Sequence, residues 1–503
     1  LVGMVVIKKN YLRKVAFGIG PDQSVPLDPV AWAKGQVHEV PNLAWDGPLP
    51  TGSEMMDHRA SYRGNEDKLR EKYKNDREAY KKAKNQLKYQ TGQKYFESLE
   101  LNIRHHAALN SGAPVFERLW WFWSNHFAIL DKNALPNFNT GVYQREIIRE
   151  NLCGSFTDLL KSATISFAMI KSLDNSESVG PNSKDGLWRK KNRKPVSINE
   201  NHARELLELH SVGPAAGYSQ DDVIALSYIM AGWECPWTKK RGDGNPVKFN
   251  QDKHQPGNHQ VFDKRYKQRG LSPKNKLLDV IEDLAIHPSC SRFIAHKLCR
   301  HFICDFPTEQ MMAPIVEAWE ASGGALPSIH EALLEVTYEH TGTVEKFQNP
   351  EVWLVQMANM AGLHWPVLSE DMNYDFGSKP PGYMNRVKWD LDEIGLIPYR
   401  PIQPNGWSDL GTDWISPELL LRRIVFAKKY SAILNGGYGK KASGPKNWTP
   451  IHMLNSNFDA LDEMLDYLAL DKTRWREEDP KGKKLHHYNL MQTVFPSKWM
   501  LMA

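Results

Sequence analysis

Residues 198–222 bring Arg204, Glu205, Glu208, His210 and Asp221 into one short run. Carboxylates and imidazoles act as general acids and bases or bind metals, and an arginine can stabilise an oxyanion. His126, Glu146, His254 and His259 widen the pool from elsewhere in the chain. One assignment makes Glu205, His210, Arg204 and His126 a catalytic set. A second gives a divalent metal to Glu146, Glu205, Glu208, His210 and His254. A third assigns no chemistry: Arg145, Arg149 and Arg204 pair with Glu146, Glu205 and Glu208 in a buried network, with Asn125 and Asp221 as supporting polar groups, a job that bidentate Arg–carboxylate geometry suits.

Spacing separates these readings. Helical bundles that hold metals use Glu-x-x-His pairs, and none occurs here. His-Glu-x-x-His is absent as well. Glu208 and His210 are two residues apart, so a helix cannot turn both equally toward one ligand. Glu205 and Glu208 share a rough face, which lets one ligate while the other orients it. There is no glycine-rich phosphate loop and no Gly-x-Ser-x-Gly elbow. Hydrolysis is the first reaction class for such a pool, with redox chemistry left open.

The elements that must position these groups read as helices. Residues 115–127, Val-Phe-Glu-Arg-Leu-Trp-Trp-Phe-Trp-Ser-Asn-His-Phe, are apolar on nearly every side and predict a central buried helix. Residues 62–109 predict a long, mostly exposed helix or helix pair interrupted at Thr91-Gly92, with 62–90 as a charged insertion. One helix is expected over 143–160 and another over 199–210, ended by Gly213-Pro214. Ser219, with Asp222 three residues on, marks a further helix start. Residues 234–270 are the one segment that looks β or irregular, with 247–250 and 259–263 as a hairpin. Helices resume over 274–287, 291–302, 308–322, 327–337 and 351–361. Residues 363–417 are loop-rich and aromatic, 417–430 helical, 436–446 a polar loop, 458–468 helical, and a last short helix falls in the tail. The fold class is mainly α: a large multi-helix globular bundle with long loops and at most a small hairpin.

Composition agrees with a globular chain: 41% hydrophobic and 24% charged over 503 residues. The net charge of +5 is mild at this size and argues against nucleic acid as a partner. Five cysteines without a CxxC pair read as buried thiols rather than a zinc knot. No run of eighteen apolar residues occurs, so no membrane span is expected.

Taken in order, these segments resemble a large bacterial family, domain of unknown function 1800. The resemblance is carried by Leu12-Arg13 through Gly18, Trp121-Phe-Trp-Ser-Asn-His-Phe127, Arg145-Glu146 with Arg149, and Gly154-Ser-Phe156. It continues through Leu173-Asp-Asn175, Gly180-Pro-Asn-Ser183, Asn199-Glu-Asn201, and Ala203-Arg-Glu-Leu-Leu-Glu-Leu-His210. Tyr218-Ser-Gln-Asp-Asp-Val223, Gly232-Trp233, His254 with Pro256-Gly257, His287-Pro288, Lys297-Leu298, Pro404-Asn-Gly-Trp407 and Trp414-Ile-Ser-Pro417 complete it. The departures are the insertion at 62–90 and the loops near 366–390 and 436–446. The resemblance implies one largely helical domain over 1–503 and a periplasmic or extracellular home. It also implies a neighbouring exported sulfatase-like family as a partner, but no activity. Two function classes follow: a metal-dependent or acid–base hydrolase, and a non-catalytic component that binds a polymer or protein through exposed Trp and Tyr of 363–414.

Overall fold

The helix Pro114–His126 is the axis of the molecule. Proline at its first position starts it without losing a needed donor. Every residue but Pro114 and Asn125 is buried, as an all-round apolar sequence requires. Two of its three indoles are satisfied at a distance: Trp120 Nε1 donates to the Gln144 carbonyl at 2.6 Å and Trp123 Nε1 to His330 Nε2 at 3.0 Å. The computed structural model describes residues 2–20, 23–235, 246–267, 273–360, 382–434, 496 and 498–503. Within them the chain is mainly α, with two small two-stranded antiparallel sheets.

One large core runs from Tyr11 to Leu501 around this axis. A second, smaller cluster of Met55, Tyr62, Phe96 and Phe138 lies where the helices Gly52–Lys72 and Arg77–Gln90 meet the body. Those two helices pack against each other, so the charged segment 62–90 lies in a helix pair. Thr51 and Glu54 close a capping box at its start, and Thr91-Gly92 interrupts the chain as expected, with Gly92 at φ +76°. The next helix, Phe96–Asn110, departs from the expectation of an exposed surface: it is buried along almost its whole length. Each of its charges has a distant partner. Glu97 meets Arg400 at 2.5 Å and Lys388, Glu100 meets Arg145 at 3.0 Å, and Arg104 meets Glu351 at 2.8 Å.

Three other expectations are corrected. Residues 143–160 do not form one helix. A π-turn Gln144–Ile148 and a 3₁₀ turn Arg149–Asn151 lead to a break, and a new helix spans Phe156–Thr164, capped by Ser155. The break lets the chain pair with a neighbouring loop: Phe156 N–H donates to the Gly324 carbonyl and Leu326 N–H to the Gly154 carbonyl. The 247–250/259–263 hairpin is instead two separate ladders. Lys248–Phe249 pairs with Trp233–Glu234, and His259–Val261 turns back at once onto Lys264–Tyr266. The tight turn holds Phe262 at φ +50°, and Asp222 Oδ1 accepts its N–H at 2.6 Å. A helix Arg386–Ile394 crosses the region read as loop.

The helix Gln220–Met230 begins with the expected Ser219/Asp222 capping box. A short helix Lys498–Leu501 lies in the tail. Trp365, Tyr374, Phe376, the 436–446 loop and the 458–468 helix fall outside the described residues. No helix among the described residues is long and apolar enough to cross a membrane.

Candidate functional site

The expected residues do not converge. Asn201–Glu205 is α-helical and Leu206–His210 continues as a π-turn. Arg204 points to the periphery, where it meets Glu200 at 3.2 Å and Gln220 at 2.9 Å. Glu208 accepts from the Tyr218 hydroxyl at 3.2 Å. Burial, followed by the charge of Glu208, raises the Glu205 pKa to about 6. Asp221 is exposed on the first turn of the following helix. Glu146 accepts the Gly52 N–H at 3.1 Å, away from this helix. Among the described residues, no group of three or more His, Cys, Asp or Glu side chains is gathered as a metal would need.

The arginines are paired, and of the expected pairs only Arg145 with Glu146, at 3.5 Å, is formed among the described residues; the closer partners are others. Arg145 binds Glu100, and Arg149 binds the fully buried Glu117 at 2.8 Å. These glutamates come from the helices Phe96–Asn110 and Pro114–His126, which the 143–151 turns face. The pairs are separate ties between elements, not one cluster on the 198–222 stretch.

The histidines are buried and neutral. His126 Nε2–H donates to the His210 carbonyl at 3.2 Å, and burial, then Lys297, keeps the ring well below the usual range. His202 and His210 are about 1% exposed, and among the described residues no ring nitrogen of either reaches a hydrogen-bond partner. Burial lowers each to about 3. His254 donates from Nδ1 to the Ala231 carbonyl at 3.0 Å, and burial lowers it to about 4. The partly buried His259 stands over Tyr228 instead, ring centroids 5.6 Å apart.

A cleft of about 1000 Å³ lies at the end of the tryptophan helix. One wall is the helix Pro288–Phe302, which turns Arg292, Phe293, His296, Lys297 and Arg300 toward it at spacings of three, four and one residue. The opposite wall is the segment 402–413, with Trp407, Asp409 and Asp413. Phe122, Asn125, His126 and the Val212–Ala215 turn complete the lining. Asn125 fixes the far wall: its Nδ2 donates to the Trp407 carbonyl and its Oδ1 accepts the Trp407 N–H, both at 2.8 Å. Gly406, at φ +76°, lies so close that a Cβ there would stand 2.5 Å from the Asn125 carbonyl oxygen.

Behind Asp409 runs a polar chain. His301 Nδ1 meets Asp409 Oδ1 at 2.6 Å, and Arg118 Nη1 donates to His301 Nε2 at 3.1 Å. The arginine donor requires a lone pair on Nε2, so the proton sits on Nδ1 and the imidazole is neutral. Lys346 joins the Asp409 carbonyl to Asp305, at 2.6 Å from the Asp305 carboxylate. Burial works to raise the Asp409 pKa, but His301, Lys346 and Lys297 outweigh it and lower it. Lys297 carries the opposite perturbation. Burial, helped by Arg300 and resisted by Asp409, lowers it to about 8. Among the described residues its Nζ has no hydrogen bond or ion pair; it stands 5.7 Å from the Phe293 ring centroid. An amine that is partly free base near neutral pH therefore shares the cleft with a carboxylate held ionised.

Of the sequence candidates, only Asn125 and His126 reach this cleft. Lys297, Arg300, His296, Asp409 and His301 were missed. The signal that could have found the basic wall is the 292–296–300 spacing in the helix expected over 291–302.

A family model described as "Protein of unknown function (DUF1800)" matches residues 10–484, nearly the whole chain. No curated protein and no solved structure matches.

Proposed function

The chain belongs to the family of proteins of unknown function DUF1800, and we propose that its cleft is an acid–base active site, with hydrolysis as the reaction class. One observation carries this reading: Lys297 enters a cleft of about 1000 Å³ without a hydrogen-bond or ion-pair partner among the described residues and with its pKa lowered to about 8. A general base works best when its pKa lies near the operating pH. Lys297 as free amine takes the proton of an attacking water, and Asp409 holds the resulting ammonium by charge. His301, Arg118 and Lys346 position Asp409; they act through it rather than on the substrate. Trp407 and Phe293 offer apolar surface to the rest of the ligand. A periplasmic or extracellular location and a partner from a sulfatase-like family belong to the same proposal and rest on the family resemblance alone.

The test needs no substrate. Competitive acetylation of the full chain with acetic anhydride, read by mass spectrometry across pH, should show Lys297 titrating near 8. An ordinary lysine pKa at that position would refute the assignment. A panel of carboxylic, phosphate and sulfate esters and glycosides then asks for turnover that Lys297→Met abolishes; turnover unchanged in that variant would also refute it. The non-catalytic reading, built on exposed Trp and Tyr of 363–414, draws on Trp389, which is 51% exposed. It predicts polymer binding that Lys297→Met leaves untouched.

A further inference from the structure

We infer that Arg300 and His296, flanked by Lys297, form an oxyanion subsite inside this cleft, so that the ligand carries a carboxylate, phosphate or sulfate group. The inference rests on the cleft being a ligand site, and it names the ligand's charge.

Charge pairing singles out Arg300. Arg292, one wall position away, is neutralised: Glu309 takes it in a two-pronged pair at 2.7 and 2.8 Å. Arg300 has no carboxylate partner among the described residues. Its Nε donates to the Asp305 carbonyl at 3.2 Å and its Nη2 to His296 Nε2 at 3.2 Å. A guanidinium carries five N–H donors, so these two bonds fix the fork's orientation and leave the others for a ligand.

The same bond sets the histidine. Because His296 Nε2 accepts from Arg300, its proton sits on Nδ1 and makes the ring a second neutral donor. Lys297 is the next residue and has no ion pair among the described residues. On the opposite wall Asp409 keeps its negative charge, and the cations that act on it are Lys346 and Lys297, which leaves the guanidinium of Arg300 for the ligand. A charged planar fork oriented by the protein and a ring N–H beside it in one cleft constitute recognition for an oxyanion rather than a cation or a neutral ligand.

Inorganic phosphate, sulfate and malonate are the probes, titrated calorimetrically into the full chain. Binding of at least one is expected, and Arg300→Gln should weaken it by about tenfold or more. The two tetrahedral anions against malonate separate a phosphate or sulfate ligand from a carboxylate one. In wild-type protein the same anion should protect Arg300, and not Arg292, from phenylglyoxal, which keeps the test valid if the variant fails to fold. Equal affinity in wild type and variant, or no protection of Arg300 by any of the three, overturns the subsite. Acetylation of Lys297 is read separately. Lys297 titrating near 8 without anion binding removes the subsite alone. Arg300-dependent binding with an ordinary Lys297 removes the active-site reading alone.

Discussion

Replacing His202 by leucine should make the protein more resistant to acid. His202 is about 1% exposed, neither ring nitrogen has a partner among the described residues, and burial lowers its pKa to about 3. In the unfolded chain the same ring titrates near 6.5. The folded pKa is depressed, so the unfolded chain binds the proton first. Stability therefore falls as pH drops below about 6.5 and goes on falling until about 3. Between pH 7.5 and 5 the loss amounts to ~2 kcal/mol for one such ring, from 1.36 kcal/mol per pKa unit over about 1.5 units. Glu205 works in the opposite sense, because its raised pKa lets the folded state bind a proton first, between about 6 and its ordinary value. That contribution is common to both proteins and drops out of the comparison. Urea unfolding of wild type and His202→Leu at pH 7.5, 6 and 5 should show the variant losing less stability by ~2 kcal/mol. Parallel pH dependences would mean that His202 already carries its proton or a partner in the folded state, and the argument from burial would fail.

Two further perturbations test the frame of the site. Arg149→Met strands the carboxylate of Glu117, which is fully buried, and should cost ~3–5 kcal/mol. Adding Glu117→Met should recover most of the loss in the same urea series, and no recovery would mean the pair is not the cause. Asn125→Ala removes both hydrogen bonds to the Trp407 backbone and should cost ~1–3 kcal/mol, felt locally. Amide exchange over 404–408 should accelerate while the tryptophan helix stays protected; unchanged exchange would show that something else holds the wall.

What the sequence revealed about the fold was whatever local pattern determines. The tryptophan helix was legible because a segment apolar on all sides has nowhere to go but inside. The start at Ser219 was legible because a cap and its N3 partner lie three residues apart. The burial of Phe96–Asn110 was not. Its Glu97, Glu100 and Arg104 look like a solvated face in any local window. The groups that neutralise them, Arg400, Arg145 and Glu351, lie 303, 45 and 247 residues away. The break at 152–155 was hidden for the same reason, since the Gly324–Leu326 loop that replaces its helical hydrogen bonds is remote in sequence.

The site was misplaced by a related effect, and the correction gives the 198–222 stretch a different job. Proximity in sequence drew attention to Arg204, Glu205 and Glu208, yet the helix turns them outward from the cleft. The stretch serves the cleft through its backbone. The π-turn Leu206–His210 presents the His210 carbonyl to His126. Ser211 Oγ donates to the Leu206 carbonyl at 2.5 Å and Gly213 N–H to the Leu207 carbonyl at 2.9 Å, which folds the chain back so that Val212–Ala215 reaches the lining. A Cβ at Gly213, already at φ +81°, would stand 2.6 Å from the Phe293 ring on the basic wall. Only glycine lets the turn close against that helix. A π-turn requires one more residue per turn than the local pattern suggests. The Leu-Glu-Leu-His run thus serves the cleft through its backbone, while the Glu208 carboxylate stays out of the lining and meets Tyr218 instead.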